Sequence, residues 1–206
     1  IANIDGYPNV LHSDLAGNVS VIRMFGAMTQ YDLNASWAMN HATHVLGIMA
    51  GLKNGSGIVG VAPEARIYDY PVWSETGTWT GGAVSNLRMV YDNIRALNAT
   101  GANISVINQE FQFARYQSGA YLYEGVFAAG ELTLMDDYRD LVFVRAAGNQ
   151  GKILLNQNYE LGAAANLSHL LLVGSVNSSS MISTFSNRPG ERCFYKVGET
   201  VCREAE

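Results

Sequence analysis

The chain has 206 residues, of which 48% are hydrophobic and 15% charged, and its formal net charge at pH 7 is -5. This length and composition are typical of one globular domain and exclude an intrinsically disordered chain. The negative net charge and the scattered Lys and Arg residues argue against nucleic acid or an anionic membrane as a partner. No apolar run approaches the roughly 20 residues that a membrane span requires.

Short apolar segments alternate with helical patterns along the chain, which is typical of a parallel β-sheet covered by helices. Strands are predicted over residues 1–4, 19–24, 66–72, 104–107, 141–146 and 170–176. Helices are predicted over residues 41–52, 83–98 and part of 120–137. No repeat or linker divides the sequence, so residues 1–206 are expected to form a single domain. Arg145 falls inside a predicted strand, where its charge needs a partner or an exit to water.

Polar residues stand beside three of these elements. Asp5 ends the first strand, His41 is expected to open the first helix, and Asn149 follows the strand 141–146 through a tight turn. Because ligands bind at the carboxyl ends of the strands in open parallel sheets, Asp5 and Asn149 are expected to share one edge.

The sequence around these residues resembles the motifs of the subtilisin-like serine peptidases, or subtilases. Ile1-Ala-Asn-Ile-Asp5 with His12-Ser-Asp-Leu15 is similar to the aspartate motif of the family, and His41-Ala-Thr-His-Val-Leu-Gly47 to its histidine motif. Ala146-Ala-Gly-Asn149 with Gly151 resembles the oxyanion-hole segment. Further blocks follow in the order of the family, namely Gly60-Val-Ala-Pro63, Ser105-Val-Ile-Asn108, Val173-Gly-Ser-Val176 and Phe185-Ser186.

The resemblance implies a subtilisin-like α/β fold, a parallel sheet with helices on both faces in three layers. It also implies a serine endopeptidase that hydrolyses peptide bonds with an Asp-His-Ser triad. His41 would be the general base, Asp5 would orient its ring, and Asn149 would donate a hydrogen bond to the oxyanion. Where the family has Ser-Leu-Gly, this chain has Glu110-Phe-Gln112, so a narrower and more acidic substrate pocket is expected. The substrate-binding residues that the resemblance implies are Glu110, Phe111, Gln112 and Gly148.

The serine motif of the family has no match after Asn149. The chain is therefore expected to be a subtilase domain truncated at both ends and inactive alone, with the nucleophile on a complementary C-terminal segment. One alternative is an inactive subtilase-like protein that binds peptides or acts as a scaffold. Another is a metal-dependent hydrolase built on His41, His44 and Asp5, although Cys and Glu residues at metal-binding spacing are lacking. We therefore expect no metal in the catalytic site.

The two cysteines, Cys193 and Cys202, flank a predicted hairpin with its turn at Gly198. A disulfide between them is expected, and with it a secreted, periplasmic or cell-surface location. The stretch 187–193 resembles insertions in secreted subtilases of the bacterial autotransporter kind. No cofactor is expected in catalysis. Many subtilases bind structural calcium, but no acidic cluster in this sequence marks a site for it.

Overall fold

The computed structural model describes residues 1–25, 36–72, 84–111, 113–117, 120–125, 127, 130–151, 153–154, 167–189, 192–196 and 199–203. The chain divides into two compact units, Ile1–Glu110 and Phe111–Glu206. The first unit contains β1 (Ala2–Asp5), β2 (Val19–Val21), α1 (Ser36–Ala50), β3 (Ile67–Pro71), α2 (Val84–Ala99) and β4 (Val106–Gln109). The second contains β5 (Phe113–Gln117), β6 (Ala120–Gly125), α3 (Glu131–Asp136), β7 (Val142–Ala146), β8 (Ile153–Leu154), β9 (Leu170–Val173), β10 (Arg188–Pro189), β11 (Arg192–Lys196) and β12 (Glu199–Arg203).

The first unit is built on parallel strands in the order β2-β3-β1-β4. Ile4 of β1 pairs with Tyr70 of β3 and Gln109 of β4, so these three side chains share one face of the sheet. Helix α2 covers that face: the Tyr70 hydroxyl donates to Asn93 Oδ1 at 2.9 Å, and Gln109 Nε2 donates to the Tyr91 hydroxyl at 2.7 Å.

Helix α1 covers the opposite face of the same sheet. Its Leu46 and Ala50 form a fully buried apolar cluster with Leu15 and with Ile67 of β3. Ile67 lies three positions before Tyr70, and because side chains alternate along a strand it lies on the other side of β3. The first unit therefore has helices on both faces of its parallel strands, in agreement with the predicted three-layer α/β fold.

In the second unit, β7 and β9 pair in parallel, with Phe143 opposite Leu170 and Ala146 opposite Val173. Phe143 is completely buried on one face of this pair. On the other face, the side chains of Val142, Leu171 and Val173 are 37%, 54% and 50% exposed. We call these three residues the open apolar face. The second unit also contains two antiparallel hairpins, β5–β6 and β11–β12, and the short parallel pair β8–β10.

The partner of Arg145, which the sequence left unidentified, is Glu131 at the start of α3. Both side chains are completely buried, and Arg145 Nη1 lies 3.3 Å from Glu131 Oε1. The Arg145 guanidinium also stacks on Phe111, 3.9 Å from the centre of the ring, and lies 5.5 Å from the centre of the Phe127 ring. The charge inside β7 is therefore balanced by a carboxylate and two aromatic faces.

Most predicted elements are confirmed, with two corrections. Helix α1 begins at Ser36, so the prediction that His41 opens it was wrong; Ala38 and Met39 have high helix propensity and extend the helix toward its N-terminus. Within 120–137 the helix is limited to Glu131–Asp136, while Ala120–Gly125 forms β6. The Tyr-rich sequence of β6 suits a strand. The single-domain organisation stays a prediction.

Replacing Glu131 by Gln is expected to lower the free energy of unfolding by about 3–5 kcal/mol, because it leaves the Arg145 charge buried without a countercharge. The measurement is urea unfolding followed by circular dichroism. Asp136→Asn is the matched control on the same helix: it removes the partly exposed ion pair with Arg139, which contributes about 0–1 kcal/mol. Equal effects of the two substitutions would contradict the assignment of Glu131 as the countercharge of Arg145.

Candidate active site

The centre of the candidate site is a hydrogen bond between Asp5 and His41. Asp5 is the last residue of β1, and His41 Nδ1 lies 2.8 Å from Asp5 Oδ2. The other carboxylate oxygen, Oδ1, accepts the backbone N–H of Gly6 at 2.7 Å. The Asp5 side chain is 2% exposed and that of His41 is 41% exposed. A buried carboxylate thus holds one nitrogen of an imidazole that solvent or a substrate can reach.

The local sequence allows helix α1 to come this close to the end of β1. A Cβ atom on Gly6 would lie 2.6 Å from the carbonyl oxygen of Ala38, so a larger residue would push the helix away. Ala42, the residue after His41, is small and completely buried. His41 stands in the second turn of α1, directly over the end of the strand.

The pKa values of the pair follow from this geometry. The hydrogen bond to Asp5 raises the pKa of His41, burial of the ring opposes this shift, and the negative charges of Asp5 and Glu110 add to it. Burial raises the pKa of Asp5, and the hydrogen bond with His41 opposes that shift. The imidazolium form of His41 is therefore stabilised, as a general base that accepts a proton requires.

Glu110 follows β4 at the same edge of the sheet. Since Ile4 pairs with Gln109, Glu110 continues the register beside Asp5. The next residue, Phe111, is only 3% exposed and its ring is covered by the Arg145 guanidinium. Gln112 lies outside the described residues. Of the predicted substrate-binding residues, Glu110 therefore lies near the Asp5–His41 pair, whereas the Phe111 side chain is used in packing.

The predicted oxyanion segment forms a tight turn after β7 in the second unit. Gly148 has a φ of 103°, a left-handed conformation that favours glycine, and the side chain of Asn149 is exposed. Asn187, buried at 5% exposure, holds the turn: its Nδ2 donates to the Ala147 carbonyl at 2.9 Å, its N–H donates to the Gly148 carbonyl at 2.8 Å, and its Oδ1 accepts the Gln150 N–H at 3.2 Å.

The role of Asn187 in this turn was not predicted from the sequence. The signal was an Asn directly after the Phe185-Ser186 block, since Asn side chains commonly bind turn backbone. Of the other predicted residues, Cys193 and Cys202 are directly opposed in the β11–β12 pairing. His44 is exposed on α1. Among the described residues, no group of three or more His, Cys, Asp or Glu side chains is placed to hold a metal ion, and no described helix is long and apolar enough to cross a membrane.

A parallel α/β unit with a buried Asp at a strand end, hydrogen-bonded to a His on the covering helix, matches the arrangement expected from the sequence motifs. The model of the subtilase family matches residues 9–195, and the chain belongs to this family. It is similar to subtilisin E of Bacillus subtilis (strain 168), with 28% identity over 156 residues that cover 74% of this chain and 35% of the relative. It is also similar to subtilisin-like protease 2 of Plasmodium falciparum, with 28% identity over 193 residues that cover 89% of this chain and 13% of the relative. The chain thus spans about a third or less of the length of these relatives.

Solved structures support the fold. A mutant of the protease domain of PatA is 23% identical with a TM-score of 0.64, over 98% of this chain and 71% of that one. The psychrophilic subtilisin-like protease Apa1 from Pseudoalteromonas sp. AS-11 is 23% identical with a TM-score of 0.59, over 92% of this chain and 41% of that one. The predicted subtilisin-like α/β fold is confirmed.

Replacing Asp5 by Asn is expected to lower the pKa of His41, because the substitution removes the carboxylate that stabilises the imidazolium form. Because the pKa of His41 is raised in the folded protein, the pair contributes stability that is fully present below about pH 6.5 and is lost as pH rises through the folded value. The measurement is an NMR titration of the His41 Cε1–H resonance, which is assigned by its absence from the spectrum of the His41→Gln variant. An identical midpoint in wild type and Asp5→Asn would refute the coupling.

Proposed function

We propose that the protein is a serine endopeptidase that cleaves peptide or protein substrates with an Asp-His-Ser triad. Asp5 and His41 supply the first two members. The observation that carries the proposal is the 2.8 Å hydrogen bond between a buried Asp5 and a partly exposed His41 in a chain of the subtilase family. This is the geometry that a histidine needs to accept a proton from a serine hydroxyl.

In the proposed mechanism, the Nε2 atom of His41 takes the proton of the serine hydroxyl as its oxygen attacks the substrate carbonyl carbon. The carbonyl oxygen becomes negative in the tetrahedral intermediate, and the Asn149 amide donates a hydrogen bond to it. The carbon–nitrogen bond then breaks as His41 returns its proton to the leaving amine. The acyl group remains bonded to the serine oxygen. A water molecule, which loses a proton to His41, then attacks this acyl-enzyme and releases the acid product by the same steps in reverse roles. Asp5 keeps the ring in the correct tautomer and stabilises its positive form. No cofactor takes part in these steps.

The proposal places the nucleophilic serine on a complementary segment C-terminal to these 206 residues. None of them matches the serine motif of the family, and the chain spans 35% of subtilisin E and 71% of the PatA protease domain. The open apolar face of Val142, Leu171 and Val173 supports the proposal, because parallel sheets are normally covered on both faces. Residues 1–206 alone are therefore expected to lack peptidase activity.

The test is labelling of the intact protein with a fluorophosphonate probe, which reacts only with an activated serine. We expect labelling of the wild type and at least a hundredfold slower labelling of His41→Ala, because the base is lost. The matched control replaces Ser178, Ser179 and Ser180 by Ala together: these exposed serines should be dispensable.

The position of the label separates the alternatives. A labelled peptide outside residues 1–206 would support the complementary segment. Loss of labelling in the triple Ser→Ala variant would place the nucleophile inside this chain and contradict that part of the proposal. No labelling of a folded wild type would reject the peptidase and favour an inactive, peptide-binding relative.

We further propose that Glu110, with the backbone of Phe111, Gln112 and Gly148, lines the substrate site and makes it acidic. The position of Glu110 beside Asp5 and the effect of its charge on His41 support this role. A negative charge at the substrate site favours substrates with a basic residue near the cleaved bond. The preference is therefore expected to be for Lys or Arg over Gln.

Replacing Glu110 by Gln should lower the ratio of kcat/KM for an Arg peptide to that for a matched Gln peptide about two- to fivefold, as for a partly exposed ion pair of ~0.5–1 kcal/mol. The measurement is hydrolysis of peptide pairs that differ only in the residue preceding the cleaved bond. Glu64→Gln makes the same charge change in the exposed loop before β3 and should leave the ratio unchanged. A ratio that both variants change equally would exclude a local effect of Glu110.

The Cys193–Cys202 disulfide and a secreted, periplasmic or cell-surface location belong to the same proposal. Directly opposed cysteines in an antiparallel pair are close enough in the backbone for a disulfide, and disulfides persist in oxidising compartments.

A further inference from the structure

A row of buried polar side chains crosses the sheet of the first unit, one step below Asp5. Asn3 of β1 pairs with Asp69 of β3 on one side and with Asn108 of β4 on the other. Asn3 Nδ2 donates to Asp69 Oδ1 at 2.7 Å, and Asn108 Nδ2 donates to Asn3 Oδ1 at 2.9 Å. None of the three residues is more than 5% exposed. We call Asp69, Asn3 and Asn108 the buried polar row.

The buried polar row lies on the same face of the sheet as the Asp5–His41 pair. Side chains alternate along a strand, so Asn3 and Asp5 point to the same side of β1, the side that α1 covers. Strands buried on both faces are normally apolar there, because a polar group without a partner costs free energy. The row satisfies most of its hydrogen bonds internally, and it adjoins the residue that orients His41.

Asp69 stands at the end of this row as a carboxyl group without a countercharge. Its side chain is completely buried, its Oδ2 has no hydrogen-bond partner, and the ion pairs among the described residues do not include it. A carboxylate isolated in this way takes up a proton rather than remain charged. In agreement, burial raises the pKa of Asp69 well above its ordinary value, and the negative charge of Asp5 raises it further.

We propose that Asp69 is a positioning residue for the Asp5–His41 pair: as the neutral acid in the buried polar row, it ties β1 to β3 directly below Asp5 without a second negative charge there. The relevance of Asp69 to catalysis rests on the proposed function, whereas the effect of Asp69 on the position and pKa of His41 does not.

The surroundings of Asp69 fit the neutral form. Beyond the row, toward the C-terminal ends of the strands, lie the carboxyl groups of Asp5 on β1 and Glu110 after β4. His41 of α1 is hydrogen-bonded to Asp5. On the other side, β2 contributes Val19, Ser20 and Val21, which do not titrate in the relevant range, and Val21 pairs directly with Asp69. An ionised Asp69 would place a second negative charge below Asp5, where it would repel the Asp5 carboxylate and raise the pKa of both Asp5 and His41.

The experiment compares Asp69→Asn with Asp69→Leu in the intact protein, with two readouts that need no nucleophile. One is the NMR titration of His41 together with its low-field Nδ1–H resonance. The other is the free energy of unfolding as a function of pH. Tyr70→Phe is the matched control, because it removes a partly buried hydrogen bond on the opposite face of the same strand.

Asp69→Asn, which mimics the neutral acid, should leave the His41 midpoint and its Nδ1–H resonance unchanged. Wild-type stability should fall as pH rises from about 4, the pKa of an unfolded Asp, toward the raised folded value, because the folded state retains the proton that the unfolded state loses. Asp69→Asn should lack this loss. A lower His41 midpoint in Asp69→Asn, or an unaltered pH dependence, would show that Asp69 is ionised and overturn the proposal.

Asp69→Leu removes the bond to Asn3 and should broaden or abolish the His41 Nδ1–H resonance. Tyr70→Phe should lower stability and leave this resonance intact. If Asp69→Leu does not fold, Asp69→Ala serves in the same comparison. An intact resonance without the Asp69 carboxyl group would overturn the positioning role. Neither readout requires a serine. The absence of fluorophosphonate labelling would therefore reject the proposed function but not the positioning role of Asp69.

Discussion

The approach of helix α1 to the end of β1 is the constraint on which the candidate site depends. A hydrogen bond between a carboxylate and an imidazole needs its atoms within about 3 Å, and His41 reaches Asp5 because the residue after Asp5 has no side chain in the way of Ala38. The burial of Asp5 adds to this geometry, because a carboxylate removed from water interacts more strongly with the one ring that it contacts. The helix, the glycine and the strand end therefore act together: moving any one of them would separate the pair.

Burying charge is costly, and the protein offsets the cost in three ways. Asp5 accepts hydrogen bonds from His41 and from the Gly6 backbone. In the second unit, Arg145 is paired with Glu131 and stacked on Phe111, so that a guanidinium occupies a strand interior. Asp69 has no countercharge among the described residues, and protonation is the remaining way to reduce its desolvation cost. Only 15% of the residues are charged, yet several ionisable side chains among the described residues are buried, and individual contacts set the energetics of each.

Much of the fold and part of the site were predictable from the sequence. The short apolar segments gave the strands because strand burial leaves a local pattern, and β1 ends at Asp5 as predicted. The start of α1 was misplaced because a functional motif was taken as a structural boundary, although the residues before His41 also favour a helix. The β5–β6 hairpin was missed for a related reason: its Tyr-rich segment was interpreted as part of a helix. The turn held by Asn187 was missed because its contacts join residues 37 to 40 positions apart.

The sequence by itself determined the succession of the strands along the chain and the family, and it marked Asp5 and His41 as candidate catalytic residues, since these depend on residue type and local spacing. Only the tertiary structure decided how the buried polar groups are satisfied. The partner of Arg145 is 14 residues away in the chain, and the partner of Asn3 is 66 residues away. Nothing in the local pattern selects such partners, because the pairing depends on which strands are neighbours and on which face each side chain points to. For the same reason, the buried polar row below Asp5 is visible only once β3, β1 and β4 lie side by side.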